Sequence, residues 1–394
     1  MRHVPRELEG QIRKAARSFP AVVLTGPRRA GKTWVLRRMF PRAEYILFED
    51  PDVVARFRAD PQGFLDAVRT PAILDEIQHV PELLAYVRSR IDRRPRQTGR
   101  WFLTGSQDAS LMRGTTESMA GRAAVLQLLP MSYREHRKVG ILHGGYPEVL
   151  ARPSAARLWF SSYVQTYLER DVRSITAVRD LATFRRFLAL VATRHGQLLN
   201  RSDLAAPLGV SVPTVTQWLG VLETTGQLLL VPPYFENAGK RLIKSPKAYL
   251  ADSGLACHLL GIDTAAELER SPFRGALFEG FIAAEIVKAQ AAAGRRRELY
   301  HFRDQQGLEV DFLLPGPRGS LLLLEVKSTH TPTPDLARSL ERLARALEGV
   351  KPHHAVRMLV VHRPPLRRSP APSVAPGVPA RPWDEFVREL AQDA

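Results

Sequence analysis

At 394 residues the chain is longer than one hydrophobic core usually organises, so we expect two or three domains. Its composition, 44% hydrophobic and 25% charged, is that of a globular protein, and the single cysteine, Cys257, excludes an internal disulfide and a multi-cysteine metal site. The net charge of +17 predicts attraction to a polyanion, and the lack of a signal-like or membrane-length apolar run predicts a cytoplasmic protein with no membrane partner.

The first motif is a glycine-rich loop between a predicted strand and a predicted helix. The apolar run 21–24 leads into Gly26, Pro27, Arg28, Arg29, Ala30, Gly31, Lys32 and Thr33, and the amphipathic segment 34–40 follows. This G-x-x-x-x-G-K-T spacing is typical of a P-loop, in which backbone N–H groups converge on phosphate oxygens. We expect Lys32 to reach the β and γ phosphates of ATP, and the Thr33 hydroxyl to bind Mg²⁺.

Strand-like runs alternate with helix-like segments in this part of the chain, which predicts a parallel α/β sheet. The runs are 21–25, 45–48, 72–74, 101–104 and 123–128. The third run ends in Asp75 and Glu76, at the edge of the sheet where ligands bind. Asp75 is expected to hold Mg²⁺ through water, and Glu76 to orient and deprotonate the attacking water. The alternative is a strand that simply ends in two solvated acids.

Several stretches together resemble a known family. They are GPRRAGKT, PAILDEIQ, RWFLTGSQ, AGRAAVLQLLPMS, GGYPEVL and YLERDV. They resemble the archaeal and bacterial AAA-type ATPases that carry a C-terminal domain of unknown function, and the resemblance runs from about residue 3 to about residue 330. It implies an additional-strand (ASCE-type) P-loop ATPase fold, a winged-helix segment and a nuclease-like C-terminal fold, but no settled biological role.

Two further roles in ATP hydrolysis are assigned to residues near the ends of predicted strands. In the additional-strand class, a polar residue after the fourth run senses the γ-phosphate, and Ser106 is the candidate, with Thr104 behind it. Charge on the transferring phosphoryl group usually requires an arginine from the same chain or from a neighbouring subunit. Arg122 is the best placed, and Arg113 and Arg170 compete with it.

The middle of the chain predicts helices. Residues 158–172 form a helical pattern whose aromatic side chains, Trp159, Phe160, Tyr163 and Tyr167, are expected to pack in a core. From Asn200 to Leu222, two short amphipathic patterns are joined by a glycine turn, and the β-rich segment 227–231 follows. This arrangement predicts a winged helix-turn-helix.

The second of these helices would present polar side chains to a DNA groove, and basic residues on or beyond the wing would contact phosphates. The helix residues are Pro213, Thr214, Thr216 and Gln217, and the basic residues are Lys240, Arg241, Lys244 and Lys247. Because the helix carries no arginine or lysine, docking of a protein is an equal alternative.

Three acids and a lysine are predicted to converge in the C-terminal part. Glu279 shares the apolar face of a helix over 277–291, and a predicted hairpin brings Asp311 close to Glu325 and Lys327. This set resembles the PD-(D/E)XK nuclease family, which implies that the acids hold Mg²⁺ and that the lysine positions or activates water. The alternative is an internal ion-pair network in an inactive copy of that fold. Residues 362–382 are expected to form a poorly ordered basic connector.

The fold class expected is α/β. It comprises an AAA-type P-loop ATPase domain (1–142), a helical connector (143–180), a winged helix-turn-helix (181–247) and a PD-(D/E)XK nuclease-like domain with a basic C-terminal tail (248–394). The expected function is an Mg²⁺-dependent ATPase that binds and remodels or processes DNA, with ATP and Mg²⁺ as cofactors. The alternative is a regulatory ATPase whose C-terminal modules bind protein partners without nuclease activity. The sequence leaves open whether the protein is a homo-oligomer.

Overall fold

The computed structural model describes residues 4–105, 119–168, 181–234, 244–348, 355–365 and 373–390. The chain divides into two compact units. The first comprises 1–131 with 224–227 and 291–295, and the second comprises 132–223, 228–290 and 296–394. Within the described ranges, no helix is both long enough and apolar enough to cross a membrane.

The first unit contains a five-stranded sheet in which all neighbouring strands are parallel. The strands are β1 (Ala21–Thr25), β2 (Glu44–Leu47), β3 (Ala72–Asp75), β4 (Trp101–Thr104) and β5 (Ala123–Gln127). Their order across the sheet is β2-β3-β4-β1-β5, so β4 lies between the strand before the glycine-rich loop and the strand that ends in Asp75. The predicted parallel α/β core is confirmed.

Helices cover both faces of this sheet. They are α1 (Glu9–Ser18), α2 (Lys32–Met39), α3 (Pro51–Ala59), α4 (Pro61–Ala67) and α5 (Leu83–Arg93). Successive β1 side chains point to opposite faces: Val22 and Leu24 pack with α1 and α2, whereas Ala21 and Val23 pack with α3, α4 and α5. Burial on both faces explains why β1 is apolar throughout.

The second unit begins with a mainly helical part. Its helices are α6 (Pro147–Ala151), α7 (Ala156–Tyr163), α8 (Leu181–Thr193), α9 (Arg201–Ala205) and α10 (Val212–Thr224). Gly209, at φ 66°, makes the turn before α10. A small antiparallel sheet follows, with β6 (Gln197–Leu198), β7 (Leu228–Val231) and β8 (Lys247–Leu250) in the order β6-β8-β7. Phe160 and Tyr163 are buried and Trp159 packs against the same core, as predicted, whereas the Tyr167 side chain lies outside the described residues.

The rest of the second unit is built on a six-stranded sheet in the order β13-β14-β12-β11-β10-β9. The strands are β9 (Tyr300–Arg303), β10 (Glu309–Pro315), β11 (Leu321–Lys327), β12 (Val356–His362), β13 (Ser373–Ala375) and β14 (Val378–Pro382). The helices are α11 (Ser253–Leu259), α12 (Ala265–Arg270), α13 (Arg274–Ala292), α14 (Arg338–Glu348) and α15 (Trp383–Glu389). The predicted helix and hairpin that carry the acids are both present.

The prediction of a poorly ordered connector over 362–382 is wrong for its last ten residues. Residues 373–382 contain β13 and β14, and β14 pairs in parallel with β12. Val378 and Ala380 are buried in the core of this sheet. The stretch is ordered because a few apolar residues, spaced two apart, can add a strand to an existing sheet edge. Residues 366–372 of the predicted connector lie outside the described residues.

Candidate functional site

The glycine-rich loop connects the end of β1 to the start of α2 in a conformation that needs glycine. Gly26 has φ 140°, and a Cβ there would lie 2.0 Å from the carbonyl oxygen of Leu128. Gly31, at φ 97°, immediately precedes the first residue of α2. Both angles lie in a region that L side chains avoid, so the two motif glycines are required by the backbone itself. The loop also opens the N-terminus of α2, where helix N–H groups favour an anion.

Lys32 is the first residue of α2, and its side chain lies over the glycine-rich loop. Its side chain is 4% exposed, and its Nζ donates to the carbonyl oxygens of Gly26 and Pro27, both at 3.0 Å. The ammonium group is therefore held over the loop by two neutral acceptors. Because a hydrogen bond from Lys32 to a phosphate is charge-assisted, a phosphate is the stronger acceptor for the same group.

The Asp75 carboxylate contacts hydroxyl groups from one helix, α2, and two strands, β2 and β4. The Thr33 Oγ1 lies 3.0 Å and 2.9 Å from the two carboxylate oxygens, and the Tyr45 hydroxyl donates to Oδ2 at 2.7 Å. The Thr104 hydroxyl also donates to Asp75. The carboxylate is almost fully buried. A buried carboxylate beside the Thr33 hydroxyl supplies the hard oxygen ligands that Mg²⁺ takes together with phosphate oxygens and water, so the residues present fit this ion.

Glu76 follows β3 in a left-handed backbone conformation, with φ 56° and ψ 46°. Its backbone N–H donates to the Thr104 Oγ1 at 3.2 Å, and its carboxylate accepts from Gln78. Burial raises the pKa of Glu76, but the charge of Lys32 and the hydrogen bond from Gln78 outweigh it and lower the pKa below its usual value. The carboxylate is therefore ionised at neutral pH and can accept a proton.

The structure tests the catalytic role predicted for Arg122 but not the one predicted for Ser106. Ser106, Arg113 and Arg170 lie outside the described residues. Arg122 precedes β5, and its guanidinium pairs with Asp92, with Nε 2.6 Å from Oδ1. Its carbonyl accepts from Ala21 N–H at the start of β1, whereas the glycine-rich loop follows the other end of that strand. The structure therefore does not place Arg122 beside the loop of its own chain.

Arg6 contacts the loop, and sequence reasoning missed it. Its guanidinium donates to the carbonyl of Ala30 at 2.9 Å and to that of Leu129 at 2.6 Å, and the residue is only 5% exposed. Its backbone N–H donates to Glu9, which also pairs with Arg38 on α2. Arg6 thus ties the N-terminal segment and the chain after β5 to the phosphate-binding loop. No sequence motif indicates this role of Arg6, because its guanidinium contacts backbone carbonyls, which every residue has.

The second unit brings the four predicted C-terminal residues together. Asp311 on β10 lies opposite Glu325 on β11, and Lys327 Nζ contacts Asp311 Oδ2 at 3.1 Å and Glu325 Oε1 at 2.6 Å. Glu279 on α13 accepts from the Tyr249 hydroxyl at 2.5 Å. The pKa values of Glu279 and Glu325 are both raised to about 7. The main cause is burial, and the second is the negative charge of Asp311.

Lys247 belongs to this same cluster, so its predicted position on the wing near phosphates is wrong. It is 2% exposed, and its Nζ lies 2.9 Å from Glu279 Oε1 and 2.7 Å from Glu309 Oε1. Burial lowers the pKa of Lys247, but Glu279, Asp311 and Glu309 together raise it above its usual value. The prediction grouped Lys247 with the basic residues that precede it in sequence. In the structure Lys247 is instead the first residue of the buried strand β8.

The remaining residues proposed for DNA contact lie on the surface or outside the described ranges. Pro213, Thr216 and Gln217 on α10 and Lys244 before β8 are exposed, and Thr214 is half-buried. Lys240 and Arg241 lie outside the described residues. The exposed residues of α10 are Val212, Pro213, Thr216, Gln217 and Gly220, and none of them is a lysine or an arginine.

Comparisons with known proteins support an AAA-type ATPase domain. Residues 18–136 match the model of an AAA domain, 134–266 match the Domain of unknown function (DUF8612), and 274–365 match the Domain of unknown function (DUF4143). The uncharacterized proteins Rv2008c of Mycobacterium tuberculosis and Mb2031c of Mycobacterium bovis are each 34% identical over 345 residues, which span 85% of this chain and 76% of theirs.

Two solved structures align more loosely. The Walker-type ATPase PABY2304 of Pyrococcus abyssi aligns with a TM-score of 0.40 and 16% identity, covering 64% of this chain and 94% of that one. A Signal Transduction ATPase with Numerous Domains (STAND) protein with a tetratricopeptide repeat sensor, PH0952 of Pyrococcus horikoshii, aligns with a TM-score of 0.26 and 13% identity, covering 74% of this chain and 47% of that one.

Proposed function

The chain belongs to the family of the mycobacterial proteins Rv2008c and Mb2031c and carries an AAA-type P-loop ATPase domain, and from that premise we propose that it is an Mg²⁺-dependent ATP hydrolase whose nucleotide cycle is coupled to DNA binding. The observation that carries the enzymatic part is the constellation at the carboxyl edge of the sheet. Thr33, Asp75 and Glu76 meet there beside Lys32. This is the inventory that phosphoryl transfer to water requires.

The chemistry assigned to each side chain follows from its position. Thr33 and Asp75 would hold Mg²⁺, which neutralises charge on the phosphates of bound ATP. Lys32 would exchange the carbonyls of Gly26 and Pro27 for phosphate oxygens. Glu76 would accept a proton from water as the water oxygen bonds to the γ-phosphorus and the bond to the β–γ bridging oxygen breaks. The products are ADP and inorganic phosphate.

Phosphate release measured with the purified full chain tests this assignment. We expect turnover with ATP and Mg²⁺, and none when EDTA removes the metal ion. Lys32→Ala should abolish hydrolysis and strongly weaken ATP binding, because it removes the motif lysine, whose ammonium group lies over the loop. An exposed lysine outside the first unit to which no role is assigned, Lys138→Ala, is the matched control and should hydrolyse ATP normally. Wild-type turnover by Lys32→Ala would refute the site.

The DNA-binding part of the proposal rests on charge and surface chemistry. The chain has a net charge of +17, and the exposed Thr216 and Gln217 of α10 and the exposed Lys244 before β8 are compatible with a winged helix on DNA. If phosphates dominate the contact, affinity should fall steeply between low and physiological salt, with a log–log slope of about −0.9 per phosphate neutralised. ATP turnover should also increase when DNA is added. Salt-insensitive binding, or none, would contradict the proposal.

One observation favours a second candidate function. The exposed face of α10 carries no lysine or arginine, although the chain as a whole is strongly basic. A regulatory ATPase that docks proteins through this part of the second unit would show no stimulation by DNA.

Arg122 is half exposed, and in a homo-oligomer it would be available to act on the nucleotide bound by a neighbouring copy.

A further inference from the structure

The C-terminal acid cluster already holds a buried cation that comes from a distant part of the chain. Lys247, the first residue of β8, is surrounded by three carboxylates from α13 and β10. Its Nζ lies 2.9 Å from Glu279 Oε1, 2.7 Å from Glu309 Oε1 and 3.6 Å from Asp311 Oδ1. An ammonium group has three N–H donors and no acceptor, so it suits a position between several carboxylates.

Two more cationic side chains pair with the same acids. Lys327 contacts Asp311 and Glu325, and Arg303 lies 3.3 Å from the second carboxylate oxygen of Glu309. Each of the four carboxylates therefore has at least one cationic partner. Pairing of this kind offsets the large cost of burying carboxylates, which a metal ion would otherwise have to offset.

The arrangement does not fit a divalent ion as it stands. Mg²⁺ requires oxygen ligands at about 2.0–2.1 Å in an octahedral shell, but the Nζ of Lys247 lies between Glu279, Glu309 and Asp311, and the Nζ of Lys327 lies between Asp311 and Glu325. Among the described residues, no group of three or more His, Cys, Asp or Glu side chains is placed to hold a metal ion. Asp311 is further occupied by the backbone N–H of Val326, which donates to Oδ2 at 2.9 Å.

We infer that Lys247 is the resident cation of this cluster and that it keeps divalent metal ions out of the C-terminal site. The site is then a metal-independent element of the fold, which joins β8 to α13 and β10 through ion pairs, and it cannot cut DNA by metal-assisted hydrolysis. This inference is independent of ATP hydrolysis, which uses residues of the first unit.

One atom shows where a metal ion would gain most if Lys247 were removed. Glu325 Oε2 is buried and has no hydrogen-bond partner. Asp311 lies across the hairpin from Glu325 and would lose its contact with Lys247 while keeping its contact with Lys327. Removing the positive charge of Lys247 while keeping its length should therefore create divalent-ion affinity at this position, with Asp311 as a required ligand.

The test is a titration of the full chain with Mn²⁺ in the absence of nucleotide. Electron paramagnetic resonance measures the concentration of free Mn²⁺, and the bound ion is obtained by difference. All proteins carry Asp75→Asn, which removes the carboxylate of the P-loop metal site. The parent is compared with Lys247→Met, with Asp311→Asn, with the double variant, and with Lys244→Met, which removes an exposed lysine three residues away. We expect the parent and Lys244→Met to bind no Mn²⁺ that depends on Asp311. Lys247→Met should bind one ion per chain at least about tenfold more tightly than any binding of Mn²⁺ by the parent, and the double variant should lose this binding.

Two results would overturn the inference. The first is Mn²⁺ binding by the parent that disappears in Asp311→Asn, because the site would then hold metal with Lys247 in place. The second is a folded Lys247→Met that gains no ion. If Lys247→Met fails to fold, the parent and Asp311→Asn still decide the first question, and the melting temperature of the parent should be the same in Mg²⁺ and in EDTA.

Discussion

Replacing Glu76 by glutamine should separate ATP binding from ATP hydrolysis. The amide fills the same space but cannot accept the proton of the attacking water. General-base catalysis contributes about 10²–10⁴ in rate, so kcat should fall by that factor, which corresponds to about 3–5 kcal/mol of transition-state stabilisation. ATP affinity should be unchanged or higher, because the substitution removes a negative charge from beside the phosphates.

The structure also limits how much this substitution can disturb the fold. The left-handed conformation of Glu76, at φ 56°, costs about 1–3 kcal/mol in any residue with a Cβ, and glutamine bears the same cost. The hydrogen bond from Gln78 changes from charged to neutral, a loss of about 1 kcal/mol. For a unit of this size, the melting temperature should fall by only about 2–4 °C.

The assay pairs single-turnover phosphate release with equilibrium binding of a fluorescent ATP analogue. Glu82→Gln is the matched control, because Glu82 is an exposed glutamate at the start of α5 that pairs with Arg58. It should leave both quantities unchanged. Loss of ATP binding by Glu76→Gln would show that Glu76 is structural, and unchanged turnover would show that another group accepts the proton. Either result would refute the reasoning.

Two further predictions address residues that stabilise the two units. Arg6→Gln should raise the KM for ATP about tenfold with a smaller effect on kcat, because it loses one charge-assisted hydrogen bond to the loop carbonyl of Ala30 and one to the carbonyl of Leu129 after β5. Arg13→Gln, which removes an exposed partner of Glu9, is the control, and equal effects of the two variants on KM would contradict a positioning role. His195 is fully buried, and burial lowers its pKa from 6.5 to about 4. The unfolded chain therefore binds a proton that the folded chain does not, so the stability that His195 contributes is complete above pH 6.5 and is lost as the pH falls towards 4, by up to about 3 kcal/mol. Urea unfolding of wild type and His195→Gln across this range checks the sign, and the free energy of unfolding should depend less on pH in the variant.

Local patterns determined most of the first unit. The five strands lie within one residue of the predicted runs, because each is a short, largely apolar segment, and the three central strands β1, β3 and β4 are buried throughout. The two motif glycines of the loop adopt angles that only glycine favours, so their spacing alone indicated the conformation. The order of strands, with β4 inserted beside β1, came from the tertiary structure, because a sequence run indicates a strand but not its neighbour.

Contacts between residues far apart in sequence were decided only by the folded chain. The Tyr45 hydroxyl reaches Asp75 from the neighbouring strand, and Arg6 reaches the loop from 24 residues before Ala30. The acids of the C-terminal hairpin were expected to meet, because strand alternation and one turn bring Asp311 opposite Glu325. Periodicity tells which face of an element a side chain occupies, but not what another element presents to that face. For this reason the sequence indicated a cluster of acids in need of a cation, and only the tertiary structure supplied Lys247.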